Sequence, residues 1–311
     1  MALEPIRAIL DVDTGVDDAM AIALAVAAPT IDLVAVTTVA GNVELEHTTR
    51  NTLRVLDFVG AAHVPVYRGM SRPMDRPLHT ASHVHGADGL GGADIPDSSR
   101  SVEPRSAPQY LIDAARQSPG ALTFIFVGPL TNLAVATALE PELPHLVKRL
   151  VIMGGAFRVP GNTTPAAEFN IFADPEAAAQ VLAAGFDATW VGLDVTMQAA
   201  FSRAQWDALE GSTAPNAQIV RKAGAQMFIN FNRPLNYLHD PLAVAVAADP
   251  TLVGAPEEQV MIETGGVYSA GQTLVQRPGR EGGTRTNVAQ TVDAERFNRY
   301  FTETLGLPRK P

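Results

Sequence analysis

The sequence predicts an α/β protein in which helices cover both faces of a mainly parallel sheet. Apolar runs of strand length alternate along the chain with longer helical patterns, which is typical of strand–helix–strand units. The runs at 122–127 and 150–153 are almost entirely apolar, as expected for strands buried on both faces. No linker separates two units, so a single domain over residues 1–311 with long loops is predicted.

Short apolar runs predict the strands, and longer segments with helical spacing of apolar residues predict the helices. The helix at 174–184 is also marked by the Asp-Pro pair that opens it. Two segments rich in Gly, Pro, Asn and Thr, 69–104 and 159–168, are expected to be loops. In chain order, the predicted elements are strands at 6–10, 33–38, 122–127, 150–153 and 189–193, helices at 17–28, 44–59, 174–184 and 294–305, and hairpin strands within 260–291.

Composition narrows the possible partners. The formal net charge of −10 argues against nucleic-acid binding, which requires surfaces rich in Lys and Arg. The absence of cysteine excludes disulfides, thiolate metal sites and a cysteine nucleophile. No run approaches the roughly 20 apolar residues that cross a bilayer, and the N-terminal residues do not resemble a signal peptide. A cytoplasmic protein without a membrane partner is therefore expected.

Four carboxylates follow the first predicted strand: Asp11, Asp13, Asp17 and Asp18. In an open parallel sheet, ligands bind at the carboxyl ends of strands. Desolvating each of several carboxylates costs several kcal/mol, whereas a helix N-terminus returns only ~0.3–1 kcal/mol per group. A bound divalent cation resolves this conflict, and oxygen ligands favour Ca²⁺ or Mg²⁺.

The acidic run has two other interpretations. One aspartate could cap the following helix while the others are solvated, but four carboxylates at one corner exceed what a cap requires. The segment 11–14, Asp-Val-Asp-Thr, also resembles the opening motif of haloacid-dehalogenase-type phosphatases, in which the first aspartate is the nucleophile. Gly15 stands where that motif has Thr or Val, and the motif does not explain Asp17 or Asp18. The phosphatase interpretation is therefore rejected.

The segment 11–19, Asp-Val-Asp-Thr-Gly-Val-Asp-Asp-Ala, closely resembles the opening motif of the inosine–uridine nucleoside hydrolase family. Further family-like motifs follow in order along nearly the whole chain, and together they are far more specific than any one of them. They are Gly41-Asn42, His85-Gly86, Val127-Gly128-Pro129-Leu130-Thr131-Asn132-Leu133, Met153-Gly154-Gly155, Gly161-Asn162, Ala167-Glu168-Phe169-Asn170, Asp174-Pro175-Glu176 and His239-Asp240-Pro241. The resemblance implies a Rossmann-like nucleoside hydrolase fold, and hydrolysis of the N-glycosidic bond of ribonucleosides to free base and ribose.

The resemblance also implies a calcium site. Its ligands would be the carboxylates of Asp13, Asp18 and Asp240 and the backbone carbonyl of Val127, with ribose hydroxyls and a water completing the shell. Val127 stands where the family often has Thr, but only its carbonyl is needed. Asp13 would also be the catalytic base that takes a proton from the attacking water, and Asp11 would support the site without touching the substrate.

Polar side chains would hold most of the substrate. The residues implied to contact ribose or base are Asp17, Asn42, His85, Asn162, Glu168, Phe169 and Asn170. These groups and the anionic site would stabilise an oxocarbenium-like ribosyl cation as the C1′–N bond breaks. His239 is predicted to be the general acid for the leaving base, because imidazole titrates near neutral pH. His85 would line the base pocket, and which of the two histidines protonates the base stays open.

Simpler structural roles are open for several motif residues. Thr131 and Asn132 could cap the helix that follows them, and Phe169 is equally well explained as a core residue. The segment Asp174-Pro175-Glu176 is interpreted as a helix start to which no chemistry is assigned.

Base preference follows less directly from the motifs. His239 stands where the purine-specific branch of the family has Trp, so a pyrimidine-preferring or broadly specific enzyme is predicted. The segment 228–238, which helps to cover the base in the family, matches the family pattern poorly. The alternative function is a calcium-bound nucleoside- or ribose-binding protein without turnover, and the presence of Asp13 argues against it. The resemblance also suggests a homodimer or homotetramer.

Overall fold

One long sheet organises residues 4–308, the part of the chain that this computed structural model describes. The strands are β1 Ile6–Val12, β2 Ile31–Thr38, β3 Val66–Arg68, β4 Leu122–Phe126, β5 Arg149–Met153, β6 Ala188–Val191, β7 Ala200–Ser202, β8 Leu235–Tyr237, β9 Val253–Gly254, β10 Glu257–Ile262, β11 Thr273–Val275, β12 Thr284–Val288 and β13 Thr291–Val292. Within the described residues, nine of them form the main sheet in the order β11–β10–β12–β6–β5–β4–β1–β2–β3. The pairs β7–β8 and β9–β13 form small antiparallel sheets.

Helices connect most of these strands. They are α1 Val16–Ala27, α2 Leu45–Phe58, α3 Ser82–His85, α4 Ala107–Gln117, α5 Thr131–Leu139, α6 Leu143–Leu146, α7 Phe169–Ala173, α8 Pro175–Ala183, α9 Leu193–Thr196, α10 Arg203–Asp207, α11 Pro215–Ala225, α12 His239–Ala248 and α13 Ala294–Thr304. A π-helical turn, Gln226–Asn230, extends α11, and a 3₁₀ turn, Pro250–Leu252, follows α12. None of the helices within residues 4–308 is both long enough and apolar enough to span a membrane.

The sheet is mainly parallel, as predicted. All neighbouring strands from β3 to β6 run parallel, and β12 also joins β6 in parallel. Only the edge formed by β10 and β11 is antiparallel within the main sheet. This edge corresponds to the predicted hairpin material, and it extends the sheet instead of forming a separate unit. The assignment of 1–311 to one domain stays a prediction.

Alternate side chains of the central strands point to opposite faces of the sheet. On β1, Ile9 packs in an apolar layer with Phe124 and Phe126, which also contains residues of α4, α5 and α8. Leu10 packs in the opposite layer with Ile125, together with residues of α1 and α12. All five side chains are completely buried. Two apolar layers of this kind confirm that helices cover both faces of the sheet.

Several elements depart from the sequence-based expectations. No element is predicted at β3, α4 or α11. β3 has only three residues, too few to show a periodic pattern. The helices α4 and α11 each carry a proline in their first two residues, and their buried stripes consist largely of Ala, Gly and Pro with only two larger aliphatic residues each. The segment expected to be an uninterrupted loop, 69–104, contains the single helical turn α3, which carries His85 into the site described below.

The functional edge of the sheet is set by strand direction. The parallel pairing of β1 with β2 and β4 brings the carboxyl ends of these strands to the same edge. The helix α1 begins directly after β1 at this edge, and α12 packs against α1. The first turns of α1 and α12 therefore lie side by side at the end of β1.

Two leucines of α5 test the role of the apolar layers. Leu133 is completely buried, whereas Leu139 of the same helix is 65% exposed. Leu133→Ala is expected to lower the free energy of unfolding by about 2–5 kcal/mol, because it leaves a cavity in a packed layer. The matched control Leu139→Ala should change it by no more than about 0.5 kcal/mol. Equal effects of the two substitutions in urea unfolding would contradict this description of the core.

Candidate functional site

Four aspartates from one strand end and two helix starts lie together at the carboxyl edge of the sheet. Asp13 follows β1, Asp17 and Asp18 are in the first turn of α1, and Asp240 is in the first turn of α12. The Asp18 carboxylate accepts the backbone N–H of Asp13 at 3.1 Å through Oδ1 and that of Gly15 at 2.8 Å through Oδ2. These two bonds fold the connection between β1 and α1 around the Asp18 side chain.

The environment of these carboxylates favours their protonated form over their charged form. Burial, followed by the charge of Asp18, raises the pKa of Asp17 to about 7. The same two causes raise the pKa of Asp13 well above its usual range. For Asp240, burial followed by the charge of Asp17 has the same effect. Four carboxylates can be ionised together here only if a cation balances their charge.

The cluster offers the hard oxygen ligands that a divalent cation needs. Carboxylate oxygens of Asp17, Asp18 and Asp240 lie within 4.8 Å of one another. Asp13, one of the predicted ligands, lies outside this set of three, although its side chain contacts that of Asp18. Asp13 Oδ1 is buried without a hydrogen-bond partner among the described residues, and an unpartnered buried oxygen beside other carboxylates fits metal coordination. The aspartate cluster is therefore able to bind a metal ion.

Backbone crowding around Asp13 explains two of the motif glycines. A Cβ on Gly41 would lie 2.1 Å from Asp13 Oδ2, and a Cβ on Gly128 would lie 2.9 Å from Asp13 Oδ1. The backbone N–H of Asn42 donates to Asp13 Oδ2 at 2.7 Å. The absence of side chains at Gly41 and Gly128 therefore lets the backbone after β2 and β4 approach the carboxylate directly.

Two asparagines are held by their amide nitrogens, so their oxygens are left for a ligand. Asn42 Nδ2 donates to Asp18 Oδ2 at 3.0 Å. Asn170 Nδ2 donates to the carbonyls of Val127 at 2.8 Å and Met153 at 3.1 Å. Both asparagines line a cavity of about 280 Å³ together with Val127, which is near the lower end of the roughly 300–1,000 Å³ typical of small-molecule sites. Each amide oxygen can accept a hydrogen bond from a hydroxyl.

A second wall of the cavity comes from the loop that precedes α7. Glu168 caps this helix, because its Oε1 accepts the N–H of Asn170 at 2.9 Å and its Oε2 accepts the N–H of Ile171 at 3.2 Å. Its Oε2 also accepts the N–H of Gly155 at 3.0 Å. Asn162 Oδ1 accepts the N–H of Phe169 at 2.9 Å, and Asn162 is exposed. Asn162, Glu168 and Phe169, which the family resemblance implies as substrate contacts, all line the cavity. Phe169 is only 8% exposed, so it is both a packed residue and part of this wall.

His85 is buried against the N-terminus of α1 and lines the cavity. Its Nδ1 accepts the backbone N–H of Val16 at 3.0 Å, so the proton of the neutral ring lies on Nε2. A Cβ on Gly15 would lie 2.3 Å from His85 Nδ1, which explains the glycine in the acidic motif. Burial, followed by the charge of His239, lowers the pKa of His85 to about 3. His85 is therefore neutral at pH 7 and offers an Nε2–H donor.

His239 begins α12, beside Asp240, and also lines the cavity. Its Nδ1 lies 2.8 Å from Thr196 Oγ1. Burial lowers the pKa of His239 to about 4. The expectation that this imidazole titrates near neutral pH is therefore wrong, and the ring is neutral at pH 7. His83, which sequence reasoning leaves unassigned, is exposed at the rim of the same cavity.

Asp11 does not line the cavity and instead joins the strands beneath it. Its Oδ2 accepts from the Thr37 hydroxyl at 2.5 Å and from Asn132 Nδ2 at 2.7 Å. Asn132 also donates to the carbonyl of Thr38 at 3.0 Å. The interpretation of Thr131 and Asn132 as helix caps is wrong, because α5 begins without a side-chain cap. Thr131 donates instead to the carboxylate of Asp174. Asp174 caps α8 by accepting the N–H of Ala177, which confirms the prediction that a helix starts at this residue.

Part of the cavity wall carries no motif. Lining residues that the sequence does not indicate are Met197, Met227, Arg233, Leu235 and Tyr237. Most of them lie in or near the segment 228–238, where the family pattern is weak. Thr196, the partner of His239, is also missed. Its position just after β6, at the carboxyl edge of the sheet, is the signal that could have identified it.

Comparison with known proteins gives matches along nearly the whole chain. The model of a family described as inosine-uridine preferring nucleoside hydrolase matches residues 8–299. The non-specific ribonucleoside hydrolase RihC of Klebsiella pneumoniae is 40% identical, with 96% of this chain and 98% of that protein covered. A plant nucleoside hydrolase structure has a TM-score of 0.91 and 35% identity, covering 98% of this chain and 100% of its own. A purine-preferring ribonucleoside hydrolase from Gardnerella vaginalis has a TM-score of 0.86 and 34% identity, and the match covers 96% of this chain and 98% of that protein.

The raised carboxyl pKa values predict an unusual pH dependence of stability in the metal-free protein. Asp11 and Asp17 bind protons more tightly in the folded state, where their pKa values are about 7, than in the unfolded state, where the value is near 3.8. The free energy of unfolding should therefore fall as pH rises from about 4 to about 7. With a chelator present, the Tm at pH 8 should be lower than at pH 5.5 by about 5 °C or more.

A divalent cation should raise the Tm at pH 8, because it balances the ionised carboxylates. Asp17→Asn should make the pH dependence of the metal-free protein shallower, since one of the titrating groups is removed. A Tm that rises with pH over this range in chelator would contradict the description of the cluster.

Proposed function

Because the chain belongs to the inosine–uridine preferring nucleoside hydrolase family, as its motifs predict, we propose that it uses calcium to hydrolyse ribonucleosides to free base and ribose. It is a nucleoside hydrolase, so the predicted enzyme class is confirmed. The observation that carries the proposal is a cavity lined by Asp17, Asp240, two oriented asparagines and two neutral imidazoles, with Asp18 next to those two carboxylates and Asp13 in contact with Asp18. The alternative of a binding protein without turnover receives no support from the compared relatives, which are named hydrolases.

Calcium is the proposed metal because all the available ligands are hard oxygen atoms, and calcium accepts roughly six to eight of them without a strict geometry. Asp13, Asp18, Asp240 and the Val127 carbonyl would hold it. The Val127 carbonyl already accepts a hydrogen bond from Asn170, but a carbonyl oxygen has a second lone pair. When bound, calcium would balance the carboxylate charges and lower the pKa of a neighbouring water.

Asp13 is the proposed catalytic base. It is buried, and its Oδ1 has no hydrogen-bond partner among the described residues, so this oxygen is available to take a proton from the attacking water. Asp17 lines the cavity and is partly exposed, as expected for a carboxylate that accepts hydrogen bonds from ribose hydroxyls. Asn42 and Asn170 offer amide oxygens to the same sugar. The negative charge of these groups stabilises the oxocarbenium-like cation as the C1′–N bond breaks.

The remaining substrate contacts lie on the second wall. Asn162, Glu168 and Phe169 also line the cavity, and we assign them to the sugar. Burial raises the pKa of Glu168, while several backbone N–H groups bonded to its carboxylate oppose that shift. Glu168 therefore acts both as a cap of α7 and as a fixed acceptor.

His239 and His85 are assigned to the leaving base. Both rings are neutral at pH 7 because burial lowers their pKa values. A neutral imidazole acts as a hydrogen-bond donor to the negative charge that builds on the departing base, and the base then takes its proton from solvent. His239 is the proposed catalytic residue, and His85 is assigned to contact with the base.

The ribonucleoside is the proposed small-molecule partner, with pyrimidine-preferring or broad base specificity. The presence of His239 at the start of α12 supports this preference. A homodimer or homotetramer and a cytoplasmic location are proposals that rest on the family resemblance and the sequence alone.

Asp13→Ala should lower kcat by about 10²- to 10⁴-fold, since it removes the acceptor of the water's proton. Ribose release from uridine, followed by a reducing-sugar assay with saturating Ca²⁺, measures this loss. Asp32→Ala is the matched control, because Asp32 is exposed at the amino end of β2, away from the carboxyl edge of the sheet, and does not line the cavity. Chelation should abolish ribose release, and added Ca²⁺ should restore it. Near-normal turnover of Asp13→Ala, or full activity in chelator, would contradict the proposal.

The base preference predicts a ranking of substrates. The values of kcat/KM for uridine and cytidine should equal or exceed those for inosine and adenosine, because His239 offers a hydrogen-bond donor where a purine-specific enzyme has a stacking Trp. The four nucleosides can be compared by ribose release at one calcium concentration. A strict preference for the two purine nucleosides would show that the assignment is wrong.

A further inference from the structure

We propose that Thr196 is a positioning residue that fixes the orientation of His239 and directs its Nε2–H toward the leaving base. The inference rests on the proposed function, in which His239 acts on that base. Thr196 ends α9, one helical turn after the carboxyl end of β6. It contributes no side chain to the cavity wall, so its effect on the reaction would pass through His239.

The Thr196 hydroxyl has one partner. Its Oγ1 lies 2.8 Å from His239 Nδ1, and no other hydrogen bond of this hydroxyl is found among residues 4–308. The Thr196 side chain is completely buried, so no solvent is available to it. A buried hydroxyl that leaves its proton without an acceptor is unfavourable. The Thr196 O–H therefore donates to His239 Nδ1.

This direction of donation decides where the imidazole carries its own proton. If Nδ1 accepts, the proton of the neutral His239 ring lies on Nε2. The opposite tautomer would leave the Thr196 proton without an acceptor and would turn an acceptor toward the departing base. His85 shows the same arrangement, because the N–H of Val16 donates to its Nδ1. Both rings at the cavity thus carry their proton on Nε2, the nitrogen for which no hydrogen bond is found among residues 4–308.

Thr196 is also well suited to hold a ring in place. Its backbone N–H donates to the carbonyl of Gly192 at 3.1 Å, which anchors it in α9. Its β-branched side chain has restricted χ1 freedom. The other ring beside His239 is that of Tyr237, whose centroid lies 5.9 Å away at an angle of 44°. Apolar contact of this kind limits the space of the imidazole but does not select its tautomer.

The experiment compares two leaving groups in Thr196→Val, which keeps the shape of the side chain and removes the hydroxyl. Uridine releases a basic nitrogen anion that needs a hydrogen-bond donor, whereas p-nitrophenyl β-ribofuranoside releases an anion that is stable without one. The kcat for uridine should fall by about 10- to 100-fold, and the kcat for the aryl riboside should change by less than about 3-fold. Thr196→Ser should restore most of the uridine activity.

A double-mutant cycle separates this inference from the function on which it rests. His239→Ala should lose activity selectively on uridine, and Thr196→Val should cost little more in that background, because both act through one ring. A selective loss in His239→Ala, with full uridine activity in Thr196→Val, would overturn the role of Thr196 alone. Equal loss of both substrates in His239→Ala would overturn the proposed role of His239, and this inference with it.

Loss of stability is controlled separately. Thr137→Val is the matched substitution, because Thr137 is also buried but bonds only to the carbonyl of Leu133 in α5. It should leave both substrates unaffected. If Thr196→Val does not fold, the ¹⁵N spectrum of the wild-type imidazoles, assigned with His239→Ala, gives an independent test. A protonated Nδ1 in His239 of the calcium-loaded enzyme would overturn the inference.

Discussion

At the carboxyl edge of the sheet, four carboxylates lie closer together than their charges favour. Burial and mutual repulsion raise the pKa values of Asp13, Asp17 and Asp240, so the ionised cluster is unstable without a counter-charge. The surrounding fold keeps it assembled, because β1, α1 and α12 are fixed by completely buried apolar layers. The stability of those layers offsets the electrostatic cost and gives a site that is shaped for a cation before one binds.

The sequence predicts the central fold well because its strongest signals are local. The apolar runs of β1, β4 and β5 and the helical spacing of α1 need no knowledge of the rest of the chain. Strand order, by contrast, depends on contacts between distant segments. The insertion of β12 beside β6 is an example, since nothing in the residues 284–288 indicates a parallel neighbour almost 100 positions earlier. Short elements such as β3 lack enough residues to show a period.

For the site, too, the sequence predicts the residues that local motifs mark, but not the properties that depend on contacts between distant segments. Motif residues such as Asp17, Asn42 and Asn170 line one cavity, and Asp18 accepts a hydrogen bond from the Asn42 amide. Their protonation states and hydrogen-bond partners are not predicted, because these depend on which groups are buried together. The low pKa of His239 is a result of burial that the sequence does not reveal. Asn132 likewise looks like a helix cap in the sequence, and only the tertiary structure shows that it binds a carboxylate of β1.

The two sides of the cavity are built differently. Carboxylates and glycines on the sheet edge form one side, where a Cβ on Gly41 or Gly128 would collide with Asp13. Met227, Leu235 and Tyr237 contribute to the other side from the π-helical turn and the short strand that follows it. A side chain at Gly41 or Gly128 would therefore disturb Asp13 itself, whereas substitutions of Met227, Leu235 or Tyr237 would change the shape of the cavity. Changes on the second side can therefore alter which molecules fit while Asp13 and the glycines around it stay as they are.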